Sequence, residues 1–229
     1  MMSFLLKIRA QLNRHILKRS EEYFMPVRSL KPISRKFGFD RGTPIDRYWI
    51  QSFLKANSHL VQGHVLEITD SEYTTKFGSG VTISDVLDID PKNKKANIHA
   101  DLRNLENVIK NNTYDCIILT HVLGLINDYD SAIKECYRVL RPGGVILFTS
   151  SCLGFGTPKE KIFWRFTKNS IEYIFKKQFK KNKVSVGTFG NVLAGQFFWV
   201  GMAQEDLSRP ELEFNDPNYP CIVTAVATK

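Results

Sequence analysis

Four short apolar runs along the chain are each followed by acids or polar groups: Glu67 and Asp70 after the first, Asp85 and Asp88 after the second, Asp101 after the third, Thr120 and His121 after the fourth. In an open α/β sheet, ligands bind beyond the carboxyl ends of the strands, where strand order reverses, so these positions are where chemistry is expected. Carboxylates there accept hydrogen bonds and attract positive charge. Such a rim suits a ligand with ribose hydroxyls, an exocyclic amine and a cationic centre, and suits a polyphosphate poorly. No G-x-x-x-x-G-K-[ST] loop is present, which argues against nucleotide triphosphate hydrolysis. The G-x-G-x-x-G fingerprint is missing too, because Thr69-Asp70-Ser71-Glu72-Tyr73 follows the first run. A pyrophosphate needs bare backbone NH groups at that helix start, and two carboxylates there repel it, so a nicotinamide dehydrogenase is disfavoured. His121 is the candidate base, since histidine exchanges a proton near neutral pH and would suit deprotonation of a hydroxyl acceptor. The plain alternative is a positioned structural histidine.

The elements that must position these groups are read from periodicity. Helical spacing of Ile45, Tyr48, Trp49, Phe53 and Leu54 predicts a helix from Pro44 to about Asn57. Strands are expected at residues 64–68, 81–86, 97–100, 114–120 and 145–150, with helices at 73–77, 105–109 and 129–140 between them. Residues 114–120, Y-D-C-I-I-L-T, form the kind of apolar run that a parallel sheet buries on both faces. Arg141-Pro142-Gly143-Gly144 is expected to stop the preceding helix, because proline cannot continue it and glycine supplies a turn. Further on, 170–179 reads as a helix, 184–186 as a short strand, 192–202 as an apolar helix or buried segment, and 221–227 as a β-branched strand. Strands alternating with helices imply βαβ crossovers and a Rossmann-like, doubly wound, mostly parallel sheet.

Bulk properties bound the reading. At 229 residues and 43% hydrophobic, the chain suits one compact α/β domain, residues 37–229, preceded by a basic segment and linker over residues 1–36. Cys116, Cys136, Cys152 and Cys221 form no C-x-x-C pair, so no metal site is expected and the thiols read as reduced and cytoplasmic. No apolar run approaches the roughly 20 residues that span a bilayer. The net charge of +9 is uneven: residues 1–41 carry +7, residues 159–183 carry +7, and the rest carries −5. Residues 3–19 place Phe4, Leu5, Ile8, Leu12 and Ile16 on one helical face with Lys and Arg elsewhere. That pattern suits peripheral contact with an anionic membrane, or docking on the domain or a partner. The lysines at 176–183 alternate with Phe175 and Phe179, which at helical spacing face a core, so nucleic acid is disfavoured as a partner.

On these residues the chain resembles the class I S-adenosylmethionine-dependent methyltransferases. The resemblance covers about residues 63–150: V-L-E-I-T-D at the first strand, S-D-V at the second, A-D-L after the third, Y-D-C-I-I-L-T-H-V-L at the fourth, and Y-R-V-L-R-P-G-G-V-I-L before the fifth. It implies S-adenosylmethionine as cofactor and methyl transfer as activity. Carried over residue by residue, Glu67 would help orient the methionine part of the cofactor. Asp85, with Asp88 as rival, would accept from the ribose hydroxyls. Asp101 would receive the adenine amine with the Leu102 backbone beside it, and Thr120 and His121 would line the cleft under the methyl group. The plain alternatives are that Glu67 partners a helix-start NH or an arginine and that Asp85 and Asp101 are strand-ending turn residues. The family's glycine-rich loop after the first strand is replaced here by Thr69, Asp70 and Ser71, which shifts the hold on the methionine end to Asp70 and Tyr73 or marks lost binding. The flanks D-R-G-T-P-I-D-R-Y-W-I and F-W-R-F-T-K-N-S resemble a branch found near polysaccharide-biosynthesis enzymes, which implies O-methylation of a sugar or small molecule. A non-catalytic scaffold in a glycan-assembly complex is the competing reading. In the flanks, Arg47 is a candidate for the cofactor carboxylate, and Trp164, Arg165 and Thr167 for the acceptor pocket.

Overall fold

A computed structural model describes residues 29–154, 156 and 161–229. The expected basic helix at 3–19 lies outside them. The described chain forms two compact units, one of residues 52–152, 156 and 161–187 with 223–229, the other of residues 29–51, 153–154 and 188–222.

The larger unit is organised by the sheet. Its strands are β1 (Gly63–Ile68), β2 (Val81–Asp88), β3 (Ile98–His99), β4 (Tyr114–Thr120), β5 (Leu140–Ser151), β6 (Val184–Phe189) and β7 (Ile222–Thr228), in the order β3-β2-β1-β4-β5-β7-β6. β1 pairs in parallel with both β2 and β4, and β4 with β5, so strand order reverses at β1. Lys229 exchanges both backbone hydrogen bonds with the start of β5 (Gly143 N to Lys229 O, Lys229 N to Gly144 O), which makes β7 antiparallel to β5. The sheet is therefore mostly parallel, as expected. β4 is buried from Cys116 to Leu119 because both faces are covered. One of those faces carries Ile117 and Leu119 against Ile133 and Cys136 of α3 (Tyr129–Val139), in a core that also takes Ile171 and Phe175 from α4 (Lys168–Gln178). Burying each such aliphatic side chain contributes roughly 1.5–3 kcal/mol. Asp128 caps α3 by accepting from Ser131 N, and Thr167 caps α4 by accepting from Ser170 N, so the polar residue before each helix sets its start.

Four local expectations need correction. β2 runs two residues past 86, because Leu87 and Asp88 continue to pair with Ile68 and with His99. Pro142-Gly143-Gly144 is the irregular start of β5 rather than a turn before it: α3 ends at Val139, Leu140 already pairs with Tyr114, and the register shifts between Tyr114 and Cys116. A side chain at Gly144 would come within 2.9 Å of the Tyr114 carbonyl, which is why glycine stands there. Residues 105–109 make a single turn, with the Val108 and Ile109 amides both donating to Leu105 O, instead of a helix. The apolar helix of 192–202 stops at Trp199, followed by Gly201 at φ +79°.

In the smaller unit, the segment before α1 (Ile45–Ala56) is tied to residues 200–206. The Arg41 guanidinium donates twice to the buried Asp206 carboxylate at 3.1 Å, Thr43 donates to Glu205 through N and Oγ1 at 2.9 Å, and Pro44 bridges Ala203. Trp49 donates its indole NH to Leu212 O in α6 (Arg209–Glu213). Among the described residues, no helix is long and apolar enough to cross a membrane.

Candidate functional site

The loops at the carboxyl ends of β1, β2, β3 and β4 enclose a cleft of about 560 Å³ in the larger unit. Ile68 and Thr69 come from the end of β1, Leu87, Asp88 and Ile89 from β2, and Ala100 to Arg103 from the segment after β3. Val122, Leu125, Ile126 and Asn127 follow β4, and Lys161 and Phe163 complete the lining. The walls are largely aliphatic, with carboxylates at Asp88 and Asp101.

Thr69 holds the loop in a shape that glycine would take. Its φ is +77°, in the left-handed region that β-branched residues avoid at a cost of about 1–3 kcal/mol. The conformation is secured from both sides: Thr69 N donates to Leu87 O at 2.9 Å, and Asn93 Nδ2 donates to Thr69 O at 2.7 Å. Ser71 has an ordinary φ of −109°, so of the residues replacing glycines only Thr69 carries this strain.

Glu67 is buried and committed. Its carboxylate accepts from Tyr73 N (3.0 Å), Thr74 N (2.7 Å) and Thr74 Oγ1 (2.7 Å), the opening amides of α2 (Glu72–Phe77). Burial pushes its carboxyl above the usual range, and the hydrogen bonds from Thr74 and Tyr73 offset this only in part. This is the helix-start arrangement, and it turns Glu67 away from the cleft lining.

Asp85 sits within β2, opposite Leu66, and not at its end. Its carboxylate accepts from Tyr114 OH at 3.0 Å and Asn97 Nδ2 at 2.7 Å and meets His64 Nε2 at 2.7 Å. Burial acts to raise its carboxyl, yet the hydrogen bonds from Asn97, His64 and Tyr114 outweigh it and hold the group below the usual carboxylate range. Because β2 is longer than its pattern suggests, Asp88 takes the strand-end position. Asp88 accepts from Asp90 N (2.8 Å) and Asn93 Nδ2 (2.6 Å), and it lines the cleft.

Asp101 and Leu102 also line the cleft. Arg103 forks onto the Asp101 carboxylate through Nε (3.0 Å) and Nη2 (2.5 Å), and its Nη1 reaches Asn127 Oδ1 at 2.6 Å. The Arg103 hydrogen bonds lower the Asp101 carboxyl below its ordinary value against a smaller opposing effect of burial.

The other expected site residues stand apart from that lining. Asp70 accepts from Glu72 N and pairs with Lys95 at 3.3 Å, and Tyr73 buries its ring, stacked on Phe77. Thr120 ends β4 beside Thr149, and His121, at φ +56°, donates its backbone NH to Thr149 O at 2.8 Å. Arg47 meets Asp46 at 3.5 Å. Trp164 donates its indole NH to Ile126 O and packs edge-on against Tyr129, while Thr167 caps α4. Sequence reasoning missed Thr69, Arg103, Asn127, Lys161 and Phe163 as lining residues. The nearest signal was the D-L-R order at 101–103, which sets an arginine two residues from the candidate acid.

Residues 71–148 match the methyltransferase-domain family. Demethylmenaquinone methyltransferase of Staphylococcus epidermidis is 31% identical over 116 residues, covering 45% of this chain and 46% of that protein. The ubiquinone/menaquinone biosynthesis C-methyltransferase of Haemophilus ducreyi is 47% identical over 36 residues, covering 16% of this chain and 14% of that protein. The chain thus spans about half the length, or less, of these curated relatives. Among solved structures, a SAM-dependent methyltransferase from Archaeoglobus fulgidus superposes with a TM-score of 0.55 at 13% identity, covering 80% of this chain and 94% of that one. Another from Thermotoga maritima gives 0.55 at 17% identity, covering 83% and 94%. The fold is that of the class I methyltransferases, and the expectation of an S-adenosylmethionine-dependent methyltransferase agrees with the matched family.

Proposed function

We propose that the protein is an S-adenosylmethionine-dependent methyltransferase acting on a sugar or other small molecule in cell-surface glycan synthesis. The observation that carries the methyl-transfer reading is the cleft itself, with Asp88 and Asp101 set among aliphatic walls at the point where strand order reverses. The donor set fits the cofactor. Asp88 would accept from ribose hydroxyls, Asp101 from the adenine amine with the Leu102 backbone alongside, and Ile68, Leu87 and Ile89 offer apolar surface to the rings. When bound, S-adenosylmethionine supplies an electrophilic methyl on a sulfonium.

The residues of the chain contribute position and exclusion of water more than proton transfer. Alignment of nucleophile and methyl carries much of such a reaction, so no dedicated base is required of His121. Arg103 holds Asp101 ionised, the state in which both carboxylate oxygens accept. The sugar acceptor rests on the resemblance of the flanking segments. A second reading, carbon methylation of an apolar ring such as a quinone, is favoured by the aliphatic walls, the exposed Ile89, Leu125 and Phe163 on them, and the names of the curated relatives.

Calorimetry with S-adenosylhomocysteine tests the cofactor reading. One-site binding is expected, weakened by Asp88→Ala and Asp101→Ala, whereas no heat at millimolar ligand would overturn it in favour of a scaffold. Methyl incorporation into sugar and quinone acceptors then separates the two substrate readings.

A further inference from the structure

The smaller unit exposes large apolar side chains beside cations, in a place that the cleft does not use. Leu30, Ile33 and Phe39 are exposed along the first described segment, Leu30 fully so, and Lys31, Arg35 and Lys36 between them are exposed as well. Asp40 is the acid of residues 29–40, and it is engaged at 2.5 Å by Ser34 Oγ. The same segment passes the end of α5 (Val192–Trp199): the Ile33 and Ser34 amides both donate to Val200 O, at 2.8 and 3.0 Å.

That contact ties the Ile33–Ser34 backbone to the residue that follows Trp199. α5 is apolar around its circumference, V-L-A-G-Q-F-F-W, and buries Ala194, Gly195, Phe197 and Phe198 while exposing Val192, Gln196 and Trp199 at helical spacing on one face. Trp199 is 55% exposed and Phe39 63%. Isolated exposed apolar residues are ordinary on a protein surface. Here they lie on two segments locked together. The lock is stiff, since Gly201 at φ +79° leaves only 2.3 Å between an added side chain and Ser34 O, and Arg41 is pinned by the buried Asp206.

Exposed aromatic and aliphatic side chains interleaved with Lys and Arg are what an anionic bilayer interface recognises. Tryptophan favours the headgroup level, and each basic residue near the surface adds about 1 kcal/mol of attraction. From this we infer that the Leu30–Lys36 stretch, Phe39 and Trp199 form a docking surface for an anionic lipid bilayer. The sequence just before it adds Arg28, two residues ahead of Leu30. The surface is independent of the methyl-transfer reading.

Co-sedimentation of the full chain with vesicles of phosphatidylcholine and phosphatidylglycerol, and with phosphatidylcholine alone, tests the inference. Pelleting is expected on the anionic vesicles and not on the neutral ones. The triple substitution Lys31→Ala, Arg35→Ala, Lys36→Ala should lower the partition coefficient roughly 100-fold. In a Trp164→Phe background, where buried Trp49 and exposed Trp199 are the remaining tryptophans, vesicle addition should move the emission to the blue, and the shift should vanish on adding Trp199→Phe. All the altered side chains are exposed, so unchanged circular dichroism will show that the variants fold. Wild-type pelleting by the triple variant, equal pelleting on neutral vesicles, or an emission shift that survives Trp199→Phe would each overturn the proposal; the first outcome would move the lipid contact to residues 3–19, and the second to a purely apolar surface such as a protein interface.

Discussion

The carboxylates at the end of β1 and within β2 differ from those at the end of β2 and after β3 in what surrounds them. Glu67 and Asp85 are surrounded by donors from the chain itself, three on Glu67 and three partners on Asp85, and neither lines the cleft. Asp88 and Asp101 keep a face toward the cleft while their other contacts come from short loop turns and one arginine. The lesson is that an acid near a strand end becomes architecture or recognition according to which donors the next few residues offer. Glu67 meets two bare amides at the start of α2, whereas Asp101 takes a single loop amide, from Arg103 N at 2.9 Å, together with the Arg103 guanidinium.

The contrast can be broken most forcefully at Glu67. Glu67→Ala leaves two amides and a hydroxyl without their buried acceptor, and a loss of about 3 kcal/mol in unfolding free energy is expected from denaturant titration. A loss below about 0.5 kcal/mol would dissolve the distinction. Asp101→Ala should do the reverse, leaving Tm nearly unchanged and weakening S-adenosylhomocysteine binding by about 30-fold, or about 2 kcal/mol. Thr69→Gly should sharpen the picture by relieving the left-handed backbone, with a gain of about 1 kcal/mol in stability and an intact cleft. The smallest effect is expected at Asp85. Its folded carboxyl lies below the ordinary value of 3.8, so the stability it contributes is present above that value and disappears as the pH falls through the lower folded one. Asp85→Asn should therefore flatten the acid limb of a Tm-against-pH curve, and an unchanged limb would remove the network from the account.

Much of the fold was legible because burial repeats. The run at 114–120 reads as a strand covered on both faces and is one, and the sheet class followed from strands alternating with helices. The site was less legible, for reasons visible at single residues. Ile83 is exposed and Asp85 polar, which makes β2 look finished by Val86 when backbone pairing carries it to Asp88. Nothing in the residue type of Thr69 announces a positive φ, since threonine disfavours it; Asn93, 24 residues away, is what holds that shape. Arg103 is next to the candidate acid in sequence, but whether it forks back onto Asp101 depends on Asn127, which arrives from beyond β4.

That fork has a bearing on how the cleft would respond to its medium. The Arg103 and Asp101 side chains are 39% and 31% exposed, so dissolved ions screen their attraction. An amine seeking the Asp101 oxygens competes with the guanidinium, and added electrolyte weakens the competitor more than a neutral adenine. Recognition of an adenine ring here should consequently hold steady or improve as ionic strength rises, opposite to the usual trend for a charged pocket.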